Sequence, residues 1–344
     1  MNFSSLLITW QKQHGRHHLP WQVSDPYRVW LSEIMLQQTQ VITVLDYYPR
    51  FVARFPTVQD LAAAPQDDVL QLWAGLGYYS RARNLHFAAQ QVVNDFGGTF
   101  PANRVQLESL KGVGRSTAAA ICAFAFRLPE TILDGNVKRV LCRVFALDGD
   151  PSDKAFERDL WAKAESLLPE NRADMPAYTQ GLMDLGATVC TRSKPRCEVC
   201  PMNKMCQALA QDLTAELPRK KAAVAVQQQT LFWLIAQRED GAIWLHKRPQ
   251  RGIWAGLYCV PTFDSLAQMG EGVTVDELEE LPALTHRLTH RLLEIIPYRA
   301  NTFSGCVNNG IWVLPRDFAA FGMPKPLANL LQNLCTNSVD KGAI

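Results

Sequence analysis

The sequence predicts two domains, a mainly α-helical N-terminal domain and a C-terminal domain that mixes strands and helices. The chain has 344 residues, more than one hydrophobic core usually serves. Apolar residues repeat at helical spacing in its first part, and strand-like alternation dominates its last part. The basic, helix-poor stretch 217–221 (LPRKK) separates the two patterns. We therefore expect domains at 1–211 and 229–344, joined by a linker at 212–228.

The composition is typical of a globular protein, with 47% apolar and 20% charged residues. No stretch approaches the roughly 18 uninterrupted apolar residues of a membrane span. Residues 1–18 lack the basic start, apolar middle and cleavage site of a secretory signal. These features predict a cytoplasmic protein with no membrane partner.

Local patterns predict the individual elements. Apolar residues at i, i+3, i+4 and i+7 predict a helix at 27–34 and another at 69–76, the second closed by Gly75 and Gly77. The Ala-rich run 116–126 predicts a third helix, and 137–145 a fourth with Asp134 as its N-cap. The predicted strands are 229–237, 241–247, 256–261 and 292–299.

Four of the nine cysteines crowd into one short segment with the spacing C-x6-C-x2-C-x5-C. These residues are Cys190, Cys197, Cys200 and Cys206. Thiolates are soft ligands that suit iron–sulfur clusters or zinc. In a cytosolic protein, clustered cysteines more often bind metal than form disulfides. Structural zinc sites usually show two tight pairs, and here only one such pair exists. The spacing alone leaves zinc and disulfide bonds open as alternatives.

Two glycines, Gly112 and Gly114, stand just before the predicted helix at 116–126. Glycine lets the backbone approach a ligand closely, and the N–H groups of a helix N-terminus can bind phosphate. Residues 81–143 around them hold nine Lys or Arg against four acidic residues. This segment suits a phosphate backbone, although tight turns and solvated surfaces produce the same pattern.

Two acidic residues are candidates for breaking an N-glycosidic bond. That reaction needs an acid to protonate the leaving base and a carboxylate to stabilise an oxocarbenium-like sugar. Glu33 stands beside an apolar helix face, where burial would raise its pKa. Asp134 precedes Gly135 and Asn136. Taken alone, the first could be a surface residue and the second only a helix cap.

Three segments closely match the adenine glycosylase family known as MutY: 32–40, 72–84 (LWAGLGYYSRARN) and 133–140. The cysteine spacing resembles the cluster loop of the endonuclease III superfamily, to which that family is related. The resemblance implies a helix-hairpin-helix glycosylase domain with a [4Fe–4S] cluster. The four clustered cysteines would be its ligands, and the basic residues of this loop would meet DNA phosphates. Those basic residues are Arg192, Lys194, Arg196 and Lys204.

The resemblance also implies roles for individual residues. Glu33 would protonate adenine N7 and position water, Asp134 would stabilise the oxocarbenium ion, and Asn136 would support the pocket by hydrogen bonding. Gln38 would act as a wedge near the vacated base, and Tyr78 would stack beside the opposing purine. These roles require the target base to leave the helix stack.

The glycine hairpin resembles the helix-hairpin-helix motif, in which Gly112 and Gly114 would meet a phosphate. Lys111 stands where the family usually has proline. Bifunctional relatives carry a lysine two residues after the second glycine, and its amine forms a Schiff base with the sugar. Here that position is Ser116. The resemblance therefore implies a monofunctional enzyme without a strong lyase step.

The segments 243–249 and 252–258 resemble the start of a Nudix-like domain. The glutamate-rich REx2EE arrangement of Nudix hydrolases is missing, so this domain should recognise rather than hydrolyse. In the MutY family it reads 8-oxoguanine with a Phe-Ser-His loop. The corresponding residues here are Leu288, Thr289 and His290. Thr289 retains a hydroxyl and His290 the imidazole, whereas Leu288 lacks the aromatic ring.

We therefore expect a monomeric adenine DNA glycosylase with a [4Fe–4S] cluster. Its partner would be double-stranded DNA containing A:8-oxoG or A:G mismatches. Two alternatives remain at this stage. One is a bifunctional pyrimidine-lesion glycosylase, disfavoured by Ser116 and the extra domain. The other is a DNA-binding redox sensor, which would not need Glu33 and Asp134.

Overall fold

The computed structural model describes residues 2–219, 226–274, 277–301, 304–305 and 309–339. Contacts divide the chain into two compact units, Met1–Ala63 with Asn84–Ala222 and Ala64–Arg83 with Ala223–Ile344. Residues 64–83 therefore group with the C-terminal unit, whereas the sequence analysis placed them in the N-terminal domain. Residues 220–225 of the expected linker and residues 340–344 of the expected second domain lie outside the described residues.

Residues 2–219 form α-helices joined by turns and short 3-10 segments. In chain order the helices are α1 (Phe3–His14), α2 (Pro26–Leu36), α3 (Val41–Arg54), α4 (Val58–Ala63), α5 (Gln66–Trp73), α6 (Ser80–Phe96), α7 (Arg104–Glu108), α8 (Arg115–Phe126), α9 (Gly135–Val144), α10 (Lys154–Glu165), α11 (Met175–Asp184) and α12 (Gln207–Ala210). A π-helix, Leu185–Val189, continues directly from α11 and ends at Cys190.

Helix α2 has both a capped N-terminus and a continuous buried apolar face, and both favour a helix at this position. Asp25 caps it by accepting a hydrogen bond from the backbone N–H of Arg28, and Pro26 occupies the first turn. The four apolar residues that predicted the helix are all buried: Tyr27, Trp30, Leu31 and Ile34. The prediction of a helix at 27–34 is confirmed, and Glu33 lies within it.

Helices α8 and α9 pack in one hydrophobic core of the first unit. This core includes Ala119, Ala123, Val137, Val140 and Leu141. The two helices begin at functional candidates, since Gly114 is the N-cap of α8 and Asp134 the N-cap of α9. Both helices and the capping role of Asp134 agree with the sequence prediction. The core thus fixes the starting points of both helices.

The second unit contains helix α5 and a mixed β-structure. Its strands are β1 (Gln227–Ala236), β2 (Ile243–Lys247), β3 (Tyr258–Cys259), β4 (Thr262–Phe263), β5 (Val273–Thr274), β6 (Glu279–Glu280), β7 (Leu284–Arg287), β8 (Arg291–Ala300), β9 (Ser304–Gly305) and β10 (Gly310–Val313), with helices α13 (Leu266–Gly272) and α14 (Lys325–Val339). The largest sheet has the order β4-β1-β8-β6, and β7 also pairs with β8.

Strands β1 and β8 are parallel, in a register that pairs Gln227 with Arg291 and Ala236 with Ala300. Strand β7 is antiparallel to β8, so the turn between them projects from one end of the sheet. The four predicted strands all exist, although 256–261 contributes only the short strand β3. In the described parts of the chain, no helix is both long enough and apolar enough to span a membrane.

Candidate active site

Glu33 faces a cavity of about 470 Å³ in the first unit. Its side chain is partly buried and forms no hydrogen bond with any described residue. Burial, and after it the negative charge of Asp134, raises the pKa of Glu33 to about 8. Glu33 therefore keeps its proton near neutral pH, as a general acid must.

The walls of the Glu33 cavity come from segments that are far apart in the sequence. Arg16 belongs to the loop after α1, and Gln180 belongs to α11. Trp21 and Val29 contribute apolar surface. Sequence reasoning did not identify Arg16, Trp21 or Gln180, because only the folded arrangement of α1, α2 and α11 places them around one space.

Asp134 caps α9 with one carboxylate oxygen. Its Oδ1 atom accepts hydrogen bonds from the backbone N–H groups of Asn136 and Val137, at 2.9 and 2.8 Å. Among the described residues, Oδ2 has no hydrogen-bond partner, and the side chain is exposed. The charge of Asp134 acts on Glu33, so folding brings the two predicted acids within electrostatic range, although Asp134 lines a separate cavity from that of Glu33. The capping and charge-stabilising roles are therefore compatible.

Ser116 holds the segment that leads to Asp134. The backbone N–H of Leu133 donates a 3.1 Å hydrogen bond to Ser116 Oγ. The next residue, Thr117, accepts a hydrogen bond from the side-chain amide of Gln37 at 3.4 Å. The N-terminus of α8 thus contacts the chain beside both Asp134 and Gln38.

Asn136 connects α9 with the segment before the clustered cysteines. Its Oδ1 atom accepts a 2.9 Å hydrogen bond from Arg139 Nη2. Arg139 also donates from Nη2 to the carbonyl of Gly186 and from Nε to that of Cys190, each at 2.8 Å. The described hydrogen bonds of the Asn136 side chain therefore point toward the cysteine loop rather than toward Glu33.

A second cavity, of about 570 Å³, opens beside Asp134 in the same unit. Four arginines line it: Arg139, Arg143, Arg192 and Arg219. Arg219 pairs with Asp148 at 2.6 Å, whereas Arg192 is exposed. Positive charge therefore surrounds the carboxylate of Asp134, as expected where a charged phosphate chain passes.

The four clustered cysteines line a single pocket between α9 and the loop at 190–206. Within the described part of the chain, no three Cys, His, Asp or Glu side chains converge as ligands of one ion would. Four thiols around one pocket are the donor set that a [4Fe–4S] cluster takes, so the residues present fit that cofactor.

Arg143 supports this pocket from α9, and its side chain is buried. Its guanidinium donates to the carbonyls of Thr191, Arg192 and Leu217, and to Cys190 Sγ at 3.5 Å. A cation that contacts a cysteine sulfur stabilises a negatively charged cluster. Because two carbonyls of the loop, those of Thr191 and Arg192, share one guanidinium, the loop conformation also depends on it.

The two hairpin glycines serve different purposes. Gly112 has φ +80°, and a Cβ there would lie 2.9 Å from Cβ of Asn84. Gly114 has an ordinary φ of −97°, and a Cβ there would meet nothing within 4 Å. No side chain caps α8 at Gly114, so the first N–H groups of this helix can receive a phosphate.

The two expected wedge residues both have left-handed backbone conformations. Gln38 has φ 55° and Tyr78 has φ 49°. Such conformations cost about 1–3 kcal/mol for non-glycine residues and cluster at functional sites. Both side chains are exposed, and 45% of Tyr78 is accessible to solvent. The backbone therefore projects each side chain outward rather than into a core.

Tyr78 borders a cavity of about 650 Å³ in the second unit. Its hydroxyl lies 3.0 Å from Thr289 Oγ1, within hydrogen-bonding distance. The guanidinium of Arg81 lies over the rings of both Tyr78 and Trp73, at 5.4 and 5.3 Å from their centroids. Arg81 was not identified from the sequence, yet its guanidinium packs against the ring of Tyr78.

Thr289 and His290 form the exposed tip between β7 and β8 and line the same cavity. The turn is closed by the Leu288 N–H, which donates a 2.8 Å hydrogen bond to the carbonyl of Arg291. The carbonyl of His290 accepts from the N–H of Gln227 at the start of β1. A hydrogen-bonded turn therefore presents the two side chains predicted to read the opposing base.

Three family models match separate parts of the chain. Residues 31–166 match the HhH-GPD superfamily of base excision DNA repair proteins. Residues 190–206 match the iron-sulfur binding domain of endonuclease III, and residues 232–333 match the NUDIX domain. The resemblance inferred from the motifs and the two-part fold class are thereby confirmed.

Curated relatives are adenine DNA glycosylases. That of Buchnera aphidicola subsp. Baizongia pistaciae is 36% identical over 343 residues, covering 96% of each chain. The human protein is 46% identical over 217 residues, covering 60% of this chain and 39% of its own.

Two solved structures extend the comparison. A thermostable thymine-DNA glycosylase has a TM-score of 0.55 and 31% identity, covering 61% of this chain and 95% of its own. An endonuclease III–DNA complex has a TM-score of 0.52 at 21% identity, covering 61% and 94%, and so shows a shared fold.

The catalytic geometry and these relatives agree on one reading. A carboxyl group that keeps its proton at neutral pH lies near a second carboxylate, and clustered thiols line a pocket that fits an iron–sulfur cofactor. The similarity to a curated relative extends over both units. The chain belongs to the adenine DNA glycosylase family known as MutY, and is a DNA N-glycosylase of base excision repair that binds DNA and carries a [4Fe–4S] cluster.

Proposed function

We propose that this chain excises adenine paired with 8-oxoguanine or guanine in double-stranded DNA, as a monofunctional glycosylase. The single observation that carries the chemistry is the raised pKa of Glu33, which lines a cavity open to a ligand and lies within electrostatic range of Asp134. A protonated carboxyl and a second carboxylate are the two groups that hydrolysis of an N-glycosidic bond requires.

The reaction begins when adenine leaves the stack and enters the Glu33 cavity, at a cost of a few kcal/mol. Glu33 transfers its proton to N7 of adenine, and the bond between N9 and the sugar C1′ breaks. The free Oδ2 of Asp134 stabilises the positive charge on the sugar. A water molecule then attacks, and its oxygen bonds to C1′ while the ionised Glu33 takes a proton from it. Asn136 supports the site from the start of α9, where its backbone N–H donates a 2.9 Å hydrogen bond to Asp134 Oδ1.

Backbone and cluster contacts hold the DNA in this proposal. Gly112 and Gly114 direct α8 at a phosphate, and Ser116 lies in the first turn of that helix. Cys190, Cys197, Cys200 and Cys206 hold the [4Fe–4S] cluster, which organises its loop without taking part in base chemistry. The exposed cations of that loop, Arg192, Lys194, Arg196 and Lys204, contact phosphates.

Residues 229–344 act as the reader of the opposing base in this proposal, 1–211 as the glycosylase domain and 212–228 as their linker. Gln38 fills the vacated position, and Tyr78 stacks beside the opposing purine. Thr289 and His290 recognise 8-oxoguanine from the cavity that Tyr78 also borders. Leu288 offers apolar contact only, where the family usually has an aromatic ring.

Ser116 supports the monofunctional assignment. Its hydroxyl accepts a backbone hydrogen bond and is a poor nucleophile without an adjacent base, so it cannot replace the amine of a lyase. We further propose that the protein acts as a monomer in the cytoplasm.

The proposal is tested with duplexes that contain A:8-oxoG, A:G or thymine glycol opposite adenine. We expect release of adenine from the first two, and strand cutting only after treatment with alkali. Cutting without alkali would show a lyase step and contradict the monofunctional assignment. Release of thymine glycol in place of adenine would favour a pyrimidine-lesion enzyme instead.

A further inference from the structure

The glycine hairpin contains a tight turn at 110–113 with a lysine at its second position. The backbone N–H of Val113 donates a 3.1 Å hydrogen bond to the carbonyl of Leu110, and Gly112, at the third position, has φ +80°. This is the signature of a type II turn, in which proline favours the second position. Here Lys111 occupies it. Lysine brings two groups that proline lacks, a backbone N–H and a charged side chain.

The backbone N–H of Lys111 is bound from helix α6. It donates a 2.8 Å hydrogen bond to Oε1 of Gln91, whose side chain is half-buried. The amide nitrogen of the same side chain lies 3.5 Å from the carbonyl of Ser109, so one amide contacts the chain on both sides of Leu110. Gln91 therefore satisfies the donor that a proline would not have, and it holds the turn against α6.

The ammonium group of Lys111 is left without a partner. The residue is exposed, and no acidic side chain in the described part of the chain pairs with it. Arg115, the other cation of the segment 110–115, differs in this respect. Its guanidinium pairs with Glu165 and lies 3.9 Å from the centroid of the Trp161 ring. The charge of Lys111 is therefore available to a ligand, whereas that of Arg115 is already compensated.

Lys111 adjoins the backbone groups that would receive a phosphate. It directly precedes Gly112, and helix α8 begins at Gly114 without a side-chain cap. Lysine has a flexible four-carbon stem and three rotatable donors, so it can follow a phosphate without a fixed geometry. A cation that neutralises a phosphate also releases condensed counterions from the DNA. Lys111 would thus add an ionic contribution to the contact made by the backbone N–H groups.

We propose that Lys111 contributes an ionic phosphate contact to the hairpin, and that Gln91 is the positioning residue that makes lysine compatible with the turn. Gln91 accepts the N–H and holds the turn in place, and the lysine side chain is left to meet the DNA backbone. The inference rests on the proposed placement of the hairpin against a phosphate. It concerns binding to any duplex, not the removal of a base.

Equilibrium binding to a fully paired duplex, measured from about 50 to about 200 mM salt, tests the phosphate contact. Lys111→Ala should weaken binding several-fold and reduce the slope of log K against log salt by about 0.9, as expected for one lost contact. Lys111→Arg should retain both values. Lys12→Ala is the matched control, because it removes the same charge from a residue that already pairs with Asp174 at 2.8 Å. Its slope should equal that of the wild type.

Thermal unfolding tests the role of Gln91. Gln91→Leu keeps a similar size and removes the acceptor, so the N–H of Lys111 loses its partner and the midpoint should fall by a few degrees. Lys111→Pro has no N–H to satisfy, so adding Gln91→Leu to it should lower the midpoint much less. Because it also lacks the charge, Lys111→Pro should show the reduced salt slope of Lys111→Ala.

Two results would overturn the inference. One is a salt slope in Lys111→Ala equal to that of the wild type, and the other is an equal loss of stability from Gln91→Leu in the wild type and in Lys111→Pro. If Gly114→Ala weakens binding while Lys111→Ala does not, the inference fails alone. Unchanged binding in both variants would contradict the proposed placement of the hairpin. A wild type that binds DNA with the expected slopes but releases no adenine would instead defeat the proposed function.

Discussion

The hydroxyl of Tyr78 lies 3.0 Å from that of Thr289, although 211 positions separate them in the chain. Tyr78 follows α5, and Thr289 stands at the tip of the β7–β8 turn. The contact therefore joins Tyr78, which has a left-handed backbone, to the turn that is expected to recognise the opposing base.

We predict that Tyr78→Phe and Thr289→Val each reduce the preference for 8-oxoguanine over guanine by about two- to tenfold. Each removes one hydroxyl of a hydrogen bond that contributes about 0.5–1.5 kcal/mol. Equilibrium binding to duplexes with a non-cleavable adenine analogue measures the preference. The double variant should lose little more than either single one. Tyr298→Phe, which removes a hydroxyl bound to Glu280, serves as the control, and a similar loss there would contradict the prediction.

We predict that Glu33→Gln abolishes adenine release while mismatch binding remains within a few-fold of the wild type. In the wild type, the single-turnover rate should fall as the pH rises through about 8, because Glu33 then loses the proton it donates. A rate that is constant between pH 7 and 9.5 would remove Glu33 from the role of acid.

The same raised pKa has a consequence for stability. The ordinary value is 4.5 and the folded value about 8, so between these pH values the folded state holds a proton that the unfolded state has released. The free energy of unfolding therefore declines as pH rises across this window. We predict that Glu33→Gln, which does not titrate, is more stable than the wild type at pH 8.5. Chemical denaturation at pH 5 and 8.5 should show the difference only at the higher value.

We predict that Ser116→Ala lowers the free energy of unfolding by about 1–2 kcal/mol and slows excision several-fold. The buried N–H of Leu133 would lose its acceptor, and the segment before Asp134 would loosen. Thr117→Ala is the neighbouring control, since its 3.4 Å bond to Gln37 is long. Equal effects at the two positions would show that Ser116 has no special connection to Asp134.

We predict that alanine at one hairpin glycine reduces stability, whereas alanine at the other reduces DNA binding. Gly112→Ala should destabilise the fold, by about 1–2 kcal/mol for the left-handed conformation alone, with further cost from the contact with Asn84. Gly114→Ala should fold normally, because its φ is ordinary and the space is open, but should weaken DNA binding by crowding the phosphate. Thermal denaturation and binding titrations separate the two effects. Normal stability in Gly112→Ala would contradict the left-handed backbone conformation assigned to Gly112.

Local patterns in the sequence predicted features that depend on neighbouring residues. The apolar stripe of α2 identified the helix that carries Glu33, and the cysteine spacing identified the cluster loop. The cap before α9 followed from Asp134 and the helical run after it. Each of these signals lies within about 20 residues. Periodicity was sufficient to locate the helices, whereas assigning a [4Fe–4S] cluster to the cysteine loop also required the family resemblance, because the spacing alone left zinc and disulfide bonds open.

Features that depend on tertiary contacts could not be predicted in this way. Arg16 and Gln180 line the Glu33 cavity because the loop after α1 meets α11, where both side chains donate to Asp184, and neither residue belongs to a recognisable motif. Residues 64–83 look like any other helical segment, yet their contacts group them with the β-rich unit. The role of Asn136 in the catalytic pocket stays a prediction, and its described side-chain bond is to Arg139, which also donates to the carbonyl of Cys190.

The π-helix at Leu185–Val189 separates the base cavity from the first cysteine by a single wide turn. A π turn holds one residue more than an α turn, so deleting one residue from it would restore α-helical winding and leave Cys190 near its present position. Deleting one residue from α11 itself would instead rotate Cys190 by about 100° around the helix axis and draw it back by about 1.5 Å, away from the other three cysteines. The length of α11, rather than that of the π turn, therefore determines which way the first cysteine faces.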